Sequence, residues 1–266
     1  MKKIALIPAL LLPLAGLVAG FAYHTAPGSS CKLVLAAGIP AFSNTSGFAV
    51  VELFTSEGCS SCPPADKALA EAAGEYPTQV YTLEFHVDYW NRLGWKDIYS
   101  AAGYTQRQKE YAQAFNLESI YTPEAVVNGQ KEFVGSDQDK LNTTIKAELS
   151  TTTNIPLGLT AANPAGGKVV VRYDIKDPGA ATTLQLALVQ TQASSQVLRG
   201  ENQGLHLQHG NVVRDFRSLP IHHGTSFSGN AELTIPEGLT AKGCKVIAFL
   251  QNGSGRITGA ETASLQ

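Results

Sequence analysis

The feature that most constrains this 266-residue chain is a strand-like run that ends at two closely spaced cysteines. Residues 49–54 form a short β-branched and aromatic run, which is typical of a buried strand. Cys59 and Cys62 follow, and two prolines then lead into the good helix formers of residues 65–73. The sequence therefore places both cysteines at a strand-to-helix junction.

This junction favours thiolate chemistry. A sulfur at the N-terminal end of a helix faces unpaired backbone N–H groups and the positive end of the helix dipole. Such sites lower a cysteine pKa from about 8.5 to about 3.5–7.5. We expect Cys59, nearer the exposed loop, to be the catalytic nucleophile, and Cys62 to be the resolving thiol that closes a Cys59–Cys62 disulfide. A purely structural bridge is the weaker interpretation, because a loop this short adds little entropy.

Two strings of residues resemble a known family. ELFTSEGCSSCPPAD, followed by FHVDYWNRLGWKD from Phe85 to Asp97, closely resembles the DUF1223 family of secreted bacterial proteins of unknown function. Cys-Ser-Ser-Cys-Pro after a buried strand also resembles the thioredoxin superfamily. The resemblance runs from about Phe48 to near the C-terminus and implies an α/β fold with a thioredoxin-like domain.

The same resemblance gives a role to Thr122 and Pro123. In thioredoxin-like proteins the proline that opens a later strand is cis and lies against the two cysteines, and Pro123 matches it by order and context. Thr122 would then offer its backbone to an extended substrate peptide, in the manner of an added strand. Trp90 belongs to an aromatic loop that either walls the cleft beside Cys59, as a substrate-binding residue, or packs onto the sheet.

Two further residues are candidates for proton transfer. Glu57 precedes Cys59 by two positions, and His86 ends a predicted strand at the edge that carries the cysteines. His86 is expected to approach the sulfurs, whereas Glu57 either transfers a proton if it leans over the Cys59 sulfur or opposes thiolate formation by repulsion between like charges. The chain departs from the thioredoxin pattern in having Gly58 where a tryptophan is usual and Leu53 where a buried aspartate is usual, so the direction of electron flow stays open.

The predicted fold is α/β, with a thioredoxin-like domain at 48–150 followed by a mainly antiparallel β-sandwich domain at 151–266. The first domain is predicted as strand 80–87, parallel to the cysteine-bearing strand, helix 97–115, strands 124–127 and 131–134, and helix 136–149. The second alternates short apolar runs with turn residues, predicting strands at 168–175, 183–189, 211–216, 231–235, 245–251 and 256–258.

The N-terminus predicts export. Lys2 and Lys3 precede a nearly uncharged apolar run at 4–22, so residues 1–22 are expected to be a signal peptide or an N-terminal membrane anchor, with a linker at 23–47. The protein is expected to be periplasmic or secreted, or else anchored to the inner membrane. A formal net charge of −2 and the lack of a long basic run disfavour nucleic acid as a partner.

The remaining cysteines and histidines do not predict a site. Cys31 and Cys244 either pair with each other, or Cys244 is a buried, inert thiol. Four histidines lie at positions 206, 209, 222 and 223 without a nearby cysteine pair, and on spacing alone we assign no metal site to the chain.

The sequence thus predicts an exported thiol–disulfide oxidoreductase that acts on protein thiols or disulfides and needs no organic cofactor. Two alternatives stand beside it. The first is a non-catalytic binding module with a structural disulfide, and the second is a copper-handling protein that uses Cys59, Cys62 and His86 as ligands.

Overall fold

The computed structural model describes residues 47–150, 155–162, 166–222 and 226–265. The predicted leader at 1–22, Cys31, His223 and the polar joint at 151–154 lie outside these residues, as does all but the last residue of the predicted linker. The described residues all belong to one compact unit. Among them, no helix is long and apolar enough to cross a membrane.

The first part of the chain alternates strands and helices. Its elements are β1 (Ala49–Thr55), α1 (Pro63–Glu75), β2 (Val80–His86), α2 (Ala102–Phe115), β3 (Glu124–Val127), β4 (Lys131–Val134) and α3 (Gln138–Leu149). β1 pairs with β2 in parallel and with β3 antiparallel, which confirms the predicted parallel neighbour. Asp137 is the N-cap of α3, and its carboxylate accepts a hydrogen bond from the Lys140 backbone N–H at 3.0 Å.

After α3, the regular elements in the described residues are all strands. They are β5 (Leu157–Ala162), β6 (Lys168–Lys176), β7 (Ala181–Gln196), β8 (His206–Pro220), β9 (Ser226–Thr234), β10 (Cys244–Asn252) and β11 (Ile257–Ser264). Every strand predicted here is present, although most are longer than predicted. β5 was not predicted, because its residues, LGLTAA, include a single β-branched residue and no aromatic residue.

Two sheets contain all of the strands in the described residues. The larger has eight strands in the order β11-β10-β7-β8-β2-β1-β3-β4, and the smaller has three in the order β5-β6-β9. β2 and β8 join in parallel at Glu84 and Val212. Strands from both sides of the predicted boundary at residue 150 therefore share the larger sheet.

Helices and the smaller sheet cover the larger sheet. β1 is buried along its whole length because its alternating side chains pack against different layers. Ala49, Val51 and Leu53 share a core with α1 and α3, while Val50 and Phe54 pack with tyrosines of α2. The smaller sheet shares a separate core with the apolar side chains of β7 and β10.

A buried ion pair fixes α2 to the sheet. Arg107 on α2 contacts the Glu52 carboxylate through Nε and Nη2, the latter at 2.8 Å, and both side chains are almost completely buried. The guanidinium also lies 4.9 Å from the centre of the Phe216 ring on β8. Glu52 therefore faces α2, on the opposite side of the strand from Leu53.

The predicted start of the second helix is wrong. α2 begins at Ala102 rather than at residue 97. The Asp97 carboxylate accepts hydrogen bonds from the backbone N–H groups of Tyr99 and Glu57, both at 2.9 Å, and therefore belongs to the site described below rather than to a helical turn.

Candidate functional site

The two cysteines form a disulfide where β1 gives way to α1. Cys62 is the N-cap of the helix, and the prolines occupy its first turn. The Cys62 carbonyl accepts hydrogen bonds from the backbone N–H groups of Ala65 and Asp66, at 2.8 and 3.1 Å. The sulfurs therefore sit at the positive end of the helix dipole, which stabilises a thiolate there once the bridge is reduced.

Thr122, Pro123 and Trp90 lie together beside this disulfide. The Thr122–Pro123 peptide bond is cis. The Thr122 carbonyl oxygen is 3.9 Å from Cys59 Sγ, and its hydroxyl accepts a hydrogen bond from Trp90 Nε1 at 2.8 Å. Trp90 also lies against Gly58. A Cβ atom added to Gly58 would be 3.2 Å from the Cβ of Trp90. The tryptophan beside the disulfide thus comes from the loop after β2, whereas Gly58 occupies the position before Cys59 where thioredoxins usually have one.

Both cysteines have 0% of their surface exposed, although Ser60 and Ser61 between them are exposed. A turn at residues 199–205, just before β8, lies against the disulfide. Asn202 Nδ2 donates hydrogen bonds to the carbonyl oxygens of Glu57 and Cys59, both at 2.9 Å. The Glu201 carboxylate accepts from the N–H and hydroxyl of Ser60, at 3.0 and 2.7 Å. We call this segment the 199–205 turn.

A group of buried ionisable side chains adjoins the disulfide. They come from the turn before Cys59, from α1, from β2, from the segment before α2 and from β8. No member is more than 5% exposed. We call this group the acid–histidine cluster, and its members are Glu57, Asp66, Glu84, His86, Asp97 and His209.

The two histidines occupy the centre of the cluster. Their rings are 4.7 Å apart between centroids. His86 Nδ1 is 2.7 Å from Asp97 Oδ2, and its Nε2 is 3.9 Å from Glu84 Oε2. His209 Nδ1 is 3.4 Å from Asp66 Oδ2 and 3.5 Å from Glu84 Oε2. The two rings therefore share the Glu84 carboxylate between them.

Charge pairing controls the protonation of this cluster. Burial alone would lower the pKa of His86, but Asp97 and Glu84 outweigh it and raise that pKa to about 10. Burial likewise opposes protonation of His209, yet Asp66 and Glu84 raise its pKa to about 9. Burial raises the pKa of Asp66, whereas the nearby histidines lower that of Glu84 against the effect of burial.

The predicted proton-transfer candidates belong to this cluster. Glu57 is completely buried, and its carboxylate accepts a hydrogen bond from Trp95 Nε1 at 2.7 Å. Its other oxygen is 3.9 Å from His209 Nε2. His86 contacts Asp97, Glu84 and His209. Glu57, in the turn before Cys59, therefore contacts His209 on β8, and the Asp97 carboxylate contacts both the Glu57 backbone N–H and His86 on β2.

Sequence reasoning missed Asp66, Glu84, Asp97, Asn202 and His209. One signal was present, because the predicted strand VYTLEFHV places a polar residue at every second position, and Glu84 and His86 share that face. No local signal marks His209 or Asn202. His209 on β8 and Asn202 in the turn before it reach the site because β8 pairs with β2, a strand far away in the sequence.

A groove of about 950 Å³ leads from the surface to one side of the cluster. Its walls are α1 and the paired strands β7 and β8. Asp66 and His209 lie in its lining. The groove therefore ends beside the buried cluster, at Asp66 and His209.

Comparison with known proteins gives a family and a fold. Residues 50–251 match a family described as "Protein of unknown function (DUF1223)". The crystal structure of protein AGR_C_4864 from Agrobacterium tumefaciens is similar at 27% identity, with a TM-score of 0.62, over 83% of this chain and 95% of that one. HBP35 of Porphyromonas gingivalis is similar at 17% identity, with a TM-score of 0.58, over 84% of this chain and 76% of its own. No functionally curated protein matches.

Proposed function

The chain belongs to the DUF1223 family, whose function is unknown, and from its geometry we propose that it is an exported thiol–disulfide oxidoreductase. One observation carries the proposal. The Cys59–Cys62 disulfide lies at the start of α1, and Cys59 Sγ is 3.9 Å from the Thr122 carbonyl that precedes cis-Pro123. A redox pair next to a carbonyl edge can receive a peptide and exchange disulfides with it.

The exchange takes two steps. In the reduced protein the Cys59 thiolate attacks one sulfur of a partner disulfide, forming a mixed disulfide while the other partner sulfur leaves as a thiolate. The Cys62 thiolate then attacks the Cys59 sulfur, which closes the Cys59–Cys62 bond and releases the second partner thiolate. The partner gains two electrons and the protein loses two, and the reverse sequence oxidises a partner dithiol.

The fold proposed for the redox unit is thioredoxin-like, at residues 48–150. Its support is the order β1-α1-β2-α2-β3-β4-α3, with β1 between a parallel and an antiparallel neighbour. Residues 151–266 are proposed to form a β-sandwich on the same sheet, because the smaller sheet shares a core with β7 and β10. This second part supplies the 199–205 turn that adjoins the disulfide.

Burial of both sulfurs requires a movement before a partner can react. The hydrogen bonds of Asn202 and Glu201 hold the 199–205 turn against Cys59 and Ser60. Trp90 is held at Thr122 by the hydrogen bond that its Nε1 donates to the Thr122 hydroxyl. We propose that the turn moves away when a partner peptide pairs with the Thr122 backbone.

The place of action is proposed from the leader. Lys2, Lys3 and the apolar run at 4–22 are those of an exported protein, which acts in the periplasm, outside the cell or on the inner membrane. Disulfides form and persist in these compartments. The proposed partners are accordingly protein thiols or disulfides.

Cysteine variants test the mechanism with a disulfide-bonded test protein as the substrate. Cys59→Ser should abolish exchange, because the attacking sulfur is lost. Cys62→Ser should accumulate a mixed disulfide that mass spectrometry detects. Cys244→Ser is the matched control and should keep full activity. Cys244 is a buried free thiol outside the disulfide, and a serine hydroxyl can keep its hydrogen bond to the Thr240 carbonyl. Full activity of Cys59→Ser would contradict the mechanism.

The complete burial of the sulfurs favours a second candidate, a binding module with a structural disulfide. In that case the double variant Cys59→Ser, Cys62→Ser loses thermal stability, and the oxidised wild-type protein does not exchange with test proteins. Exchange by the wild type, with only a small loss of stability in the double variant, would exclude the binding module.

A further inference from the structure

We propose that the acid–histidine cluster binds a divalent transition-metal ion, Zn²⁺ being the ion that its donors fit, with Glu84, His86 and His209 as the ligands. Sequence spacing assigned no metal site here, because His209 on β8 is far along the chain from Glu84 and His86 on β2. The proposal does not depend on redox activity, since none of these ligands is a cysteine.

The ligand atoms already converge. One ligand atom from each of the three buried residues can be chosen so that all lie within 4.8 Å of one another. Glu84 Oε2 is 3.5 Å from His209 Nδ1 and 3.9 Å from His86 Nε2. Tetrahedral zinc with bonds of about 2.0–2.1 Å holds its ligand atoms roughly 3.3 Å apart. Small side-chain shifts would therefore complete the coordination.

These atoms have no hydrogen-bond partner of their own. Glu84 Oε2, His86 Nε2 and both ring nitrogens of His209 are buried and unpaired by hydrogen bonds, and so is Glu57 Oε1. Buried polar atoms nearly always have a partner, because an unpaired one has lost its contact with water and gained nothing in return. Several such atoms facing one another point to a bound group between them, and a cation satisfies both carboxylate oxygens and neutral imidazole nitrogens.

Carboxylates are also placed to support the proposed ligands. A metal-bound histidine usually donates its other ring N–H to a carboxylate, which fixes the ring orientation. Asp97 Oδ2 lies 2.7 Å from His86 Nδ1, on the far side of the ring from Glu84. Glu57 Oε1 lies 3.9 Å from His209 Nε2, beyond hydrogen-bond distance, and a small shift of the Glu57 side chain would bring it to the ring. His86 thus has the supporting carboxylate that such a site needs, and His209 has one nearby.

The donor set selects the class of ion. Two imidazoles and one carboxylate suit zinc and related transition metals, whereas Ca²⁺ and Mg²⁺ prefer oxygen ligands and Cu(I) prefers sulfur. Asp66 Oδ2, 3.4 Å from His209 Nδ1, is a further carboxylate oxygen next to these ligands. The groove lined by Asp66 and His209 ends beside the cluster.

Metal titration of the oxidised protein tests the site. The purified protein, with its disulfide intact, is stripped with a chelator and dialysed, and is then titrated with Co²⁺ and with Zn²⁺ against a coloured indicator. We expect one ion per chain, visible Co²⁺ absorption typical of a four- or five-coordinate nitrogen and oxygen site, and a higher unfolding temperature with Zn²⁺.

Two variants on one strand localise the binding. His209→Gln should weaken Zn²⁺ binding at least tenfold. His206→Gln, at an exposed position three residues away on β8, is the matched control and should bind as the wild type does. If His209→Gln does not fold, Asp97→Asn serves instead and should weaken binding about 10–100-fold through the orientation of His86.

Other results would overturn the proposal. The oxidised wild-type protein taking up less than one ion per chain would show that the cluster is a network of imidazolium and carboxylate groups only. Equal loss in His206→Gln and His209→Gln would place the ion elsewhere. Uptake by the reduced protein with none by the oxidised protein would assign the ion to the cysteine pair, whereas uptake by the double variant Cys59→Ser, Cys62→Ser supports the cluster and leaves the redox proposal to its own test.

Discussion

Glu124, the residue after cis-Pro123, provides a quantitative prediction about stability and pH. Its side chain is completely buried on β3. One carboxylate oxygen accepts a hydrogen bond from Gln108 Nε2 at 2.6 Å, and the other has no partner. Burial, with a smaller contribution from the charge of Glu132, raises its pKa from 4.5 to about 7. The folded protein therefore holds this proton more tightly than the unfolded chain does.

The size of the effect follows from linkage. Each tenfold step in a proton equilibrium is worth about 1.4 kcal/mol. Because the folded-state pKa of Glu124 is raised, its contribution to stability is fully present below pH 4.5 and is lost as the pH rises through about 7. Between pH 5 and pH 8 the free energy of unfolding of the wild type should fall by about 2–3 kcal/mol through this residue alone.

Glu124→Gln removes the titration and keeps an acceptor for Gln108. Urea unfolding of the wild type and the variant at pH 5 and at pH 8 gives four free energies. The variant's stability relative to the wild type should rise by about 2–3 kcal/mol from pH 5 to pH 8. Glu118→Gln, at an exposed position, is the control and should change neither value by more than about 0.5 kcal/mol. A Glu124→Gln difference that is the same at both pH values would refute the reasoning.

Three further substitutions test the packing. Arg107→Leu leaves the buried Glu52 carboxylate without its cation and should lower the free energy of unfolding by about 3–5 kcal/mol in urea, whereas the double variant with Glu52→Leu should recover most of that loss. Asn202→Ala removes two hydrogen bonds of about 1 kcal/mol each and should make reduction of the disulfide by dithiothreitol roughly tenfold faster. Gly129→Ala, at φ +64°, brings a Cβ onto the Gly255 carbonyl oxygen and should destabilise the protein by at least about 1 kcal/mol in urea.

Matched variants separate these effects from general damage. Asn230→Ala, at an exposed position on β9, should leave the reduction rate unchanged. Gly74→Ala, in α1 with no atom near the added Cβ, should stabilise the protein slightly. The first prediction is contradicted if Arg107→Leu is as stable as the wild type. The second is contradicted if the reduction rate of Asn202→Ala is unchanged, and the third if the two glycine substitutions have equal effects.

Much of the fold follows from local sequence. Residues 49–54 are apolar throughout and form a strand buried on both faces, as such a run predicts. The helix start at Pro63 and the hairpin turn at Asn128 and Gly129 are local signals, and the structure contains both. The parallel pairing of β1 and β2 follows from the helix between them. The start of α2 was wrong because Asp97 makes tertiary contacts that no local pattern encodes.

The candidate site was predictable only in part. Cys59, Cys62 and Pro123 were found because spacing and order along the chain mark them. The burial of Cys59 could not be predicted, because the 199–205 turn that lies against it comes more than 130 residues later in the chain. His209 joins His86 only through the pairing of β8 with β2. Such a register between distant strands depends on the whole packed structure, so motif spacing does not reveal it.

The reduction potential of the Cys59–Cys62 pair tests the central claim most directly. Purified protein is equilibrated in glutathione buffers of graded composition, and the free thiols are trapped and counted at each step. A potential between about −120 and −270 mV, the range of exchange catalysts, is the predicted result, and its value also gives the direction of electron flow. A potential below about −300 mV would indicate a structural disulfide and would contradict the oxidoreductase proposal.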